Sequence, residues 1–585
     1  MKVLLLHPAD VFEDFAAVCQ WDLVVDLGHA PASSYELWGG VAGCRVISLY
    51  QFEQGTEDLY STRGLLQAGM GRMVDDCGID WWDVLSLMIA ADLQDILLAC
   101  RVAKEVPVGA EIFMSRPGPV ADALQAILGR TIVNLDSIAG PVIRRLVGYR
   151  NTLRRLDWGQ LKQVLQDKFD RKHSIRRRLA RRVEGSELPV VLLPSAYINV
   201  SRTAVAYASM LPEQRFLLML LRKSAQLAQL PPNVISRSLD AYFTPVNRGE
   251  IDALLGLWTG LKAHLVATVA EFSVAGKAGI LERIPGLLGW GIALRDAWKH
   301  LFELENVAGC VCADDSNPYT RIPLILAEQN SLPTLACHHG ALDARMAMKT
   351  QHGDFYLAKG EMERDFLVRV CRVAREKVLI GAPSHARRPF SPGAARSTER
   401  QRLVFFTEPY QSAAWRPAEI YRDLLPRLVS LAQTCGLKLI FKVHPFESVK
   451  SLRLWLRKYL PNEIERDVDV IGGPATPEMW QNMRFAMTVQ STIALECAMR
   501  GIPVFLCAWL RDPYLGYIDQ FARYGVGKVL QSADDMMRVP ELLETTDLRH
   551  PVSSDLWQTI PVEKLQALLS RTCVADLPLK IEAVS

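Results

Sequence analysis

The chain has 585 residues, is 49% hydrophobic and 22% charged, and carries a formal net charge of +3 at pH 7. That length calls for about two to four folding units, and that composition excludes a disordered chain. The near-neutral balance gives no whole-molecule field for nucleic acid, and the longest apolar stretch (residues 284–298) is broken by Arg295 and Asp296, so no spanning helix is predicted.

The opening "MKVLLLHPAD" has one lysine and a short apolar run followed by charge, so it reads as a first strand and not as a signal peptide. Further strand-like runs follow at "WDLVVDLG", "CRVISLY", "AEIFMS" and "RTIVNLD", which makes residues 1–140 an N-terminal α/β region. Residues 141–187 differ. Between Arg144 and Arg182 stand 14 Lys or Arg against three acids (Asp157, Asp167, Asp170), in a helical pattern with Leu153, Leu156, Leu161 and Leu165. Two readings of this basic helical insertion are open: a solvated hairpin, or an amphipathic surface that meets anionic lipid or a polyanionic glycan.

A second alternating block, residues 188–385, has strand-like runs at "LPVVLLP", "RFLLMLL", "GCVCAD", "LPTLAC" and "KVLIGAP". The pattern leaves open whether residues 1–385 form one enlarged lobe or two. Residues 386–401, rich in Pro, Gly, Ser and Arg, read as an interdomain linker. The block 402–565 is the most regular, with runs at 402–407, 438–443, 468–472, 484–489 and 502–507 and helical segments at 416–434 and 491–500. Such alternation predicts a doubly wound parallel sheet, and residues 566–585 are expected to be a tail. The 12 cysteines are scattered, mostly inside apolar runs, without the paired spacing of a zinc site. Buried free thiols are expected, and no metal.

Chemistry collects at strand ends. In "KLIFKVHPFES" (438–448) a buried run delivers Lys442, His444 and Pro445 where it leaves the sheet. In open α/β sheets that carboxyl end is where ligands bind, although a His-Pro pair is also ordinary turn chemistry. In "AMTVQSTIALECAMRGIPV" a strand ends at Val489, Gln490 turns, and Ser491 and Thr492 open a helix, as caps or as an anion site. Glu496 stands one turn on, either facing ribose hydroxyls or lying on the helix flank. In the middle block, Asp314 and Asp315 end one strand, and His338, His339 and Gly340 end the next. Any of these four titratable groups suits a general base, or a cap or turn.

Together, the "HHG" turn and the pair "KVHP" and "QSTIALECAMRGIPV" in two alternating lobes resemble GT-B glycosyltransferases of bacterial surface polysaccharides, over about residues 300–565. Within them the likeness is to capsule-type Kdo transferases, sialyltransferases with His-Pro and Ser-Ser/Thr motifs, and CDP-glycerol glycerophosphotransferases. The resemblance implies a pair of Rossmann-type domains and a nucleotide-sugar donor whose phosphate is held by His444, Ser491 and Thr492. It implies transfer of a sugar, Kdo or another ulosonic acid from a CMP-activated donor, to a cell-surface glycan or lipid-linked acceptor. The sialyltransferase acidic motif is absent, since Ser316 follows Asp314 and Asp315, so the base is one of those aspartates or His338 or His339. No cofactor and no nucleic-acid partner is implied, and a cytoplasmic enzyme, peripheral on the inner face of the membrane through residues 144–182, is expected. The rival readings are a CDP-glycerol-type phosphotransferase, a sugar-nucleotide 2-epimerase and a non-catalytic scaffold of the same fold.

Overall fold

The computed structural model describes residues 1–135, 187–384 and 401–570, apart from residues 9, 17, 117, 409, 411–414, 445–446, 512–515 and 545–552. The basic segment 144–182 and the linker 386–401 lie outside the described residues. The described strands form three parallel sheets. The first takes β1 (Lys2–Leu6), β2 (Leu23–Asp26), β3 (Arg45–Ser48), β4 (Glu111–Met114) and β5 (Val133–Asn134) in the order β3-β2-β1-β4-β5. Thus the described part of residues 1–385 carries two sheets.

The second sheet contains β6 (Val190–Ser195), β7 (Phe216–Leu220), β8 (Val234–Ser238), β9 (Val307–Cys312), β10 (Thr334–Ala336), β11 (Phe355–Ala358) and β12 (Val378–Ile380). Their order is β12-β11-β10-β9-β6-β7-β8. The third contains β13 (Arg402–Phe406), β14 (Lys438–Lys442), β15 (Asp469–Ile471), β16 (Met483–Thr488), β17 (Val504–Cys507) and β18 (Lys528–Leu530), ordered β15-β14-β13-β16-β17-β18. These two are the expected pair of doubly wound lobes. In each the direction of winding reverses once, between β6 and β9 and between β13 and β16, and such a reversal opens a crevice at the carboxyl ends of the strands.

The inner strands are mostly apolar and buried, as strands covered on both faces must be: every residue of β6 and β17 is buried. Between β8 and β9 the chain forms long helices, Arg248–Thr268 and Arg283–Leu304, that join the first sheet's helices in one core. Trp82 stacks on Trp258 with ring centres 6.0 Å apart. Gly291 lets Trp81 close on the helix, because a Cβ there would lie 2.5 Å from the indole. Arg295, which interrupts the apolar stretch 284–298, is buried and bound by Asp75, Glu250 and Asp296. No helix among the described residues is long and apolar enough to cross a membrane.

One boundary moves. The division at residue 565 falls inside the helix Val562–Ser570, whose Leu565, Leu568 and Leu569 belong to the second lobe's core. Thr559 bridges Ala382 on the way, so the chain returns from the third lobe to the second before residue 566.

Candidate active site

On the third lobe, β13 lies between β14 and β16, so the residues that leave these three strands are neighbours. The His444 backbone N–H donates to Thr407 Oγ1 at 3.0 Å, and the Thr407 hydroxyl donates in turn to Glu447. Glu408 accepts from the Gln490 N–H at 2.5 Å and from Thr488 Oγ1 at 3.4 Å, tying the end of β13 to the end of β16. Burial, reinforced by Lys442, lowers the His444 pKa to about 4, so its imidazole is neutral at pH 7. Burial and the neighbouring Glu408 push Glu447 the other way, up to about 7. Lys442 is buried and turns its ammonium onto the Val443 carbonyl at 3.0 Å, and burial lowers its pKa. Pro445 lies outside the described residues.

The helix after β16 runs Ile493–Met499, two residues later than its sequence suggests. Ser491 Oγ accepts a long bond, 3.4 Å, from the Ile493 N–H, whereas Thr492 occupies the cap position without a side-chain capping bond. Its hydroxyl is therefore not a cap. Glu496 lies on the helix flank, 3.6 Å from Arg500.

On the second lobe the four candidates separate into different environments. Asp315 is buried and holds Lys349 Nζ at 2.5 Å, and the same ammonium reaches Asp343 at 3.0 Å. The guanidinium of Arg321 lies 3.5 Å away on its other side. Asp315 thus belongs to a buried ion-pair cluster. Asp314 points elsewhere, its Oδ1 accepting from the Ser316 N–H at 2.9 Å. His338 Nδ1 accepts from the Gly340 N–H at 3.2 Å, which puts the ring proton on Nε2, an atom buried without a hydrogen-bond partner. His339 stacks beside it with ring centres 4.4 Å apart, and its Nδ1 is likewise buried without a partner. Burial lowers both histidine pKa values, so both are neutral at pH 7.

The two rims meet. A Cβ on Gly340 would lie 3.6 Å from Thr492 Cγ2, so the "HHG" turn of one lobe abuts the "QST" turn of the other. Beside this contact, the Ala344 N–H donates to Tyr517 Oη at 3.1 Å, and Gln520 donates to Met362 O at 2.8 Å. Thr407, Glu408 and Glu447 were not singled out by the sequence reading. Their signal was present, since Thr407 and Glu408 follow a strand directly and Glu447 stands three residues beyond His444. Lys349 left no local signal, because its partner Asp315 lies far away in the chain, and Asp343 joins them only through Lys349.

No protein-family model matches the chain, and no curated protein matches it. Among solved structures it resembles a Listeria monocytogenes protein described as a UDP-N-acetylglucosamine 2-epimerase, at TM-score 0.43 and 9% identity over 67% of this chain and 98% of that one. It also resembles MurG of Acinetobacter baumannii, at TM-score 0.38 and 10% identity over 66% of this chain and 99% of that one. A third is the lipopolysaccharide outer core galactosyltransferase WaaB, at TM-score 0.35 and 9% identity over 66% of this chain and 96% of that one. Likenesses of this size say nothing of substrate.

Proposed function

We propose that the chain is a GT-B-type glycosyltransferase that takes a sugar from a nucleotide donor on the third lobe and gives it to an acceptor hydroxyl on the second. The observation that carries this reading is the contact between the two rims, Gly340 against Thr492, at the carboxyl ends of two doubly wound sheets. His444, Ser491 and Thr492 stand on the donor side, and Asp314 and His339 on the acceptor side.

In the transfer step the acceptor O–H loses its proton to Asp314 or His339, and its oxygen bonds to the anomeric carbon of the sugar. The bond from that carbon to the donor phosphate breaks, and its electron pair leaves with the nucleotide. Hydrogen-bond donors fixed at the third-lobe rim stabilise that negative charge as it develops. Asp315 is left to its ion pair with Lys349, and His338, with Nδ1 engaged, is left to shape the turn. The resemblance supports a CMP-activated Kdo or related ulosonic acid as donor, and a cell-surface or lipid-linked glycan as acceptor. Incubation with a labelled sugar nucleotide tests the reading: label should move to an acceptor glycan in wild type, and His444→Ala should abolish this without altering the melting temperature. A sugar nucleotide isomerised without any acceptor would make the protein an epimerase, and equal turnover by the variant would remove His444 from the site.

A further inference from the structure

The second lobe carries, on the rim that holds Asp314, a group of side chains that the transfer scheme leaves unused. Tyr197 follows β6, Arg222 follows β7, Tyr319 stands in the first turn of the helix Pro318–Gln329, and Arg345 lies five residues beyond Gly340. The Arg222 guanidinium sits between two rings, its central carbon 5.2 Å from the Tyr197 centroid and 5.1 Å from that of Tyr319. Its Nη2 also donates to Tyr319 Oη at 3.2 Å, and Tyr319 is braced edge-on by Trp290 at 4.7 Å. Tyr197 feels the charges of Arg222, Asp314 and Arg345, and Arg345 feels those of Asp343, Asp314 and Tyr517, so these groups share one reach. Tyr197, Arg222 and Tyr319 are half-buried, whereas Arg345 is exposed. They surround the point where the winding of the second sheet reverses, between β6 and β9.

A guanidinium stacked between two rings is held in one plane, and a planar fork of N–H donors matches a carboxylate or a phosphate. Arg345 adds a second cation on the same rim, its Nε 3.6 Å from Asp343 Oδ1, while the other oxygen of Asp343 is held by Lys349. Tyrosine rings offer flat apolar faces for the C–H face of a pyranose. We propose that Tyr197, Arg222, Tyr319 and Arg345 form a subsite for a sugar bearing a carboxylate or phosphate group, with Asp314 beside it. Naming this ligand the acceptor rests on the transferase reading above; the subsite itself does not.

The test titrates the full chain with methyl β-glucuronide, glucose 6-phosphate, methyl β-glucoside and inorganic phosphate, each alone, by ligand-observed NMR. One of the two anionic sugars should bind on the order of tenfold more tightly than the neutral glucoside, as a charge-assisted contact implies, and which one names the anionic group. Arg222→Gln and Arg345→Gln should each lose most of that preference, and Arg345, being exposed, can be changed without disturbing the fold. Arg222→Lys, which keeps the charge but not the fork, should recover only part. Equal binding of charged and neutral sugars, unchanged preference in both glutamine variants, or phosphate alone binding as well as glucose 6-phosphate would each overturn the proposal. Cytidine and uridine nucleotides titrated into the same samples keep the two readings apart. Wild type that binds a nucleotide but neither anionic sugar refutes the subsite, whereas wild type that binds an anionic sugar but no nucleotide refutes the transferase.

Discussion

Glu447 and His444 lie on one rim and are displaced in opposite senses by the same cause, burial, which disfavours the charged form of each. A carboxyl whose pKa rises from 4.5 to about 7 on folding binds its proton more tightly in the folded chain. Its contribution to stability is therefore full below about pH 4.5 and lost as pH rises through about 7, on the order of 3 kcal/mol in all. Glu447→Gln removes that dependence, so urea denaturation at pH 5 and pH 8 should give a difference between the two pH values that is smaller in the variant by about this amount. An unchanged difference would mean that Glu447 titrates near 4.5 in the folded protein. At this scale the candidate site was partly legible. His444, Ser491, Thr492 and the His338–His339 pair showed themselves because each ends an apolar run. The division of labour between Asp314 and Asp315 did not, because it depends on Lys349 and Arg321, which only folding brings to Asp315.

Among the elements, the first sheet's carboxyl rim is filled from outside. Arg416, just before the helix Pro417–Thr434 of the third lobe, is fully buried there with its guanidinium on Asp26, Nε at 2.8 Å. It also donates to the carbonyls of Asp10 at 2.7 Å and His7 at 2.9 Å. The crevice where this sheet would take a ligand is therefore a docking socket for the third lobe. Arg416→Met leaves Asp26 buried without its ion-pair partner, with only the hydrogen bonds from the Gly28 N–H and the Tyr35 hydroxyl, and should cost about 3–5 kcal/mol, with Asp26→Asn added to it restoring part of the loss. Hydrogen exchange should show faster opening of β1 and β2 in the single variant; unaltered exchange would mean that the socket is not what holds the two together. The element pattern itself was readable where strands are central and apolar. It failed at β8 and β18, edge strands whose half-exposed residues lack a continuous apolar run, and at β11, an inner strand whose four residues are too short a run to stand out.

The whole molecule is two doubly wound lobes whose rims meet, with the first sheet docked against both. The basic segment 144–182 enters as a proposal: its 14 cations would each gain about 1 kcal/mol close to an anionic membrane. Reversing Arg176, Arg177, Arg178, Arg181 and Arg182 to glutamate should release the protein from anionic vesicles at low salt while nucleotide binding persists. Co-sedimentation unaffected by the reversal would leave the solvated hairpin. The central claim, a nucleotide phosphate held at the third-lobe rim, is tested most directly by calorimetric titration of CMP, CDP, UDP, GDP and ADP into wild type and a Ser491→Ala, Thr492→Ala double variant. The account predicts that at least one nucleotide binds wild type, and that the double variant loses about tenfold or more in affinity, while its stability falls by no more than the roughly 0.5–2 kcal/mol of a lost cap. Equal affinity in both proteins, or no binding of any nucleotide to wild type, would contradict it.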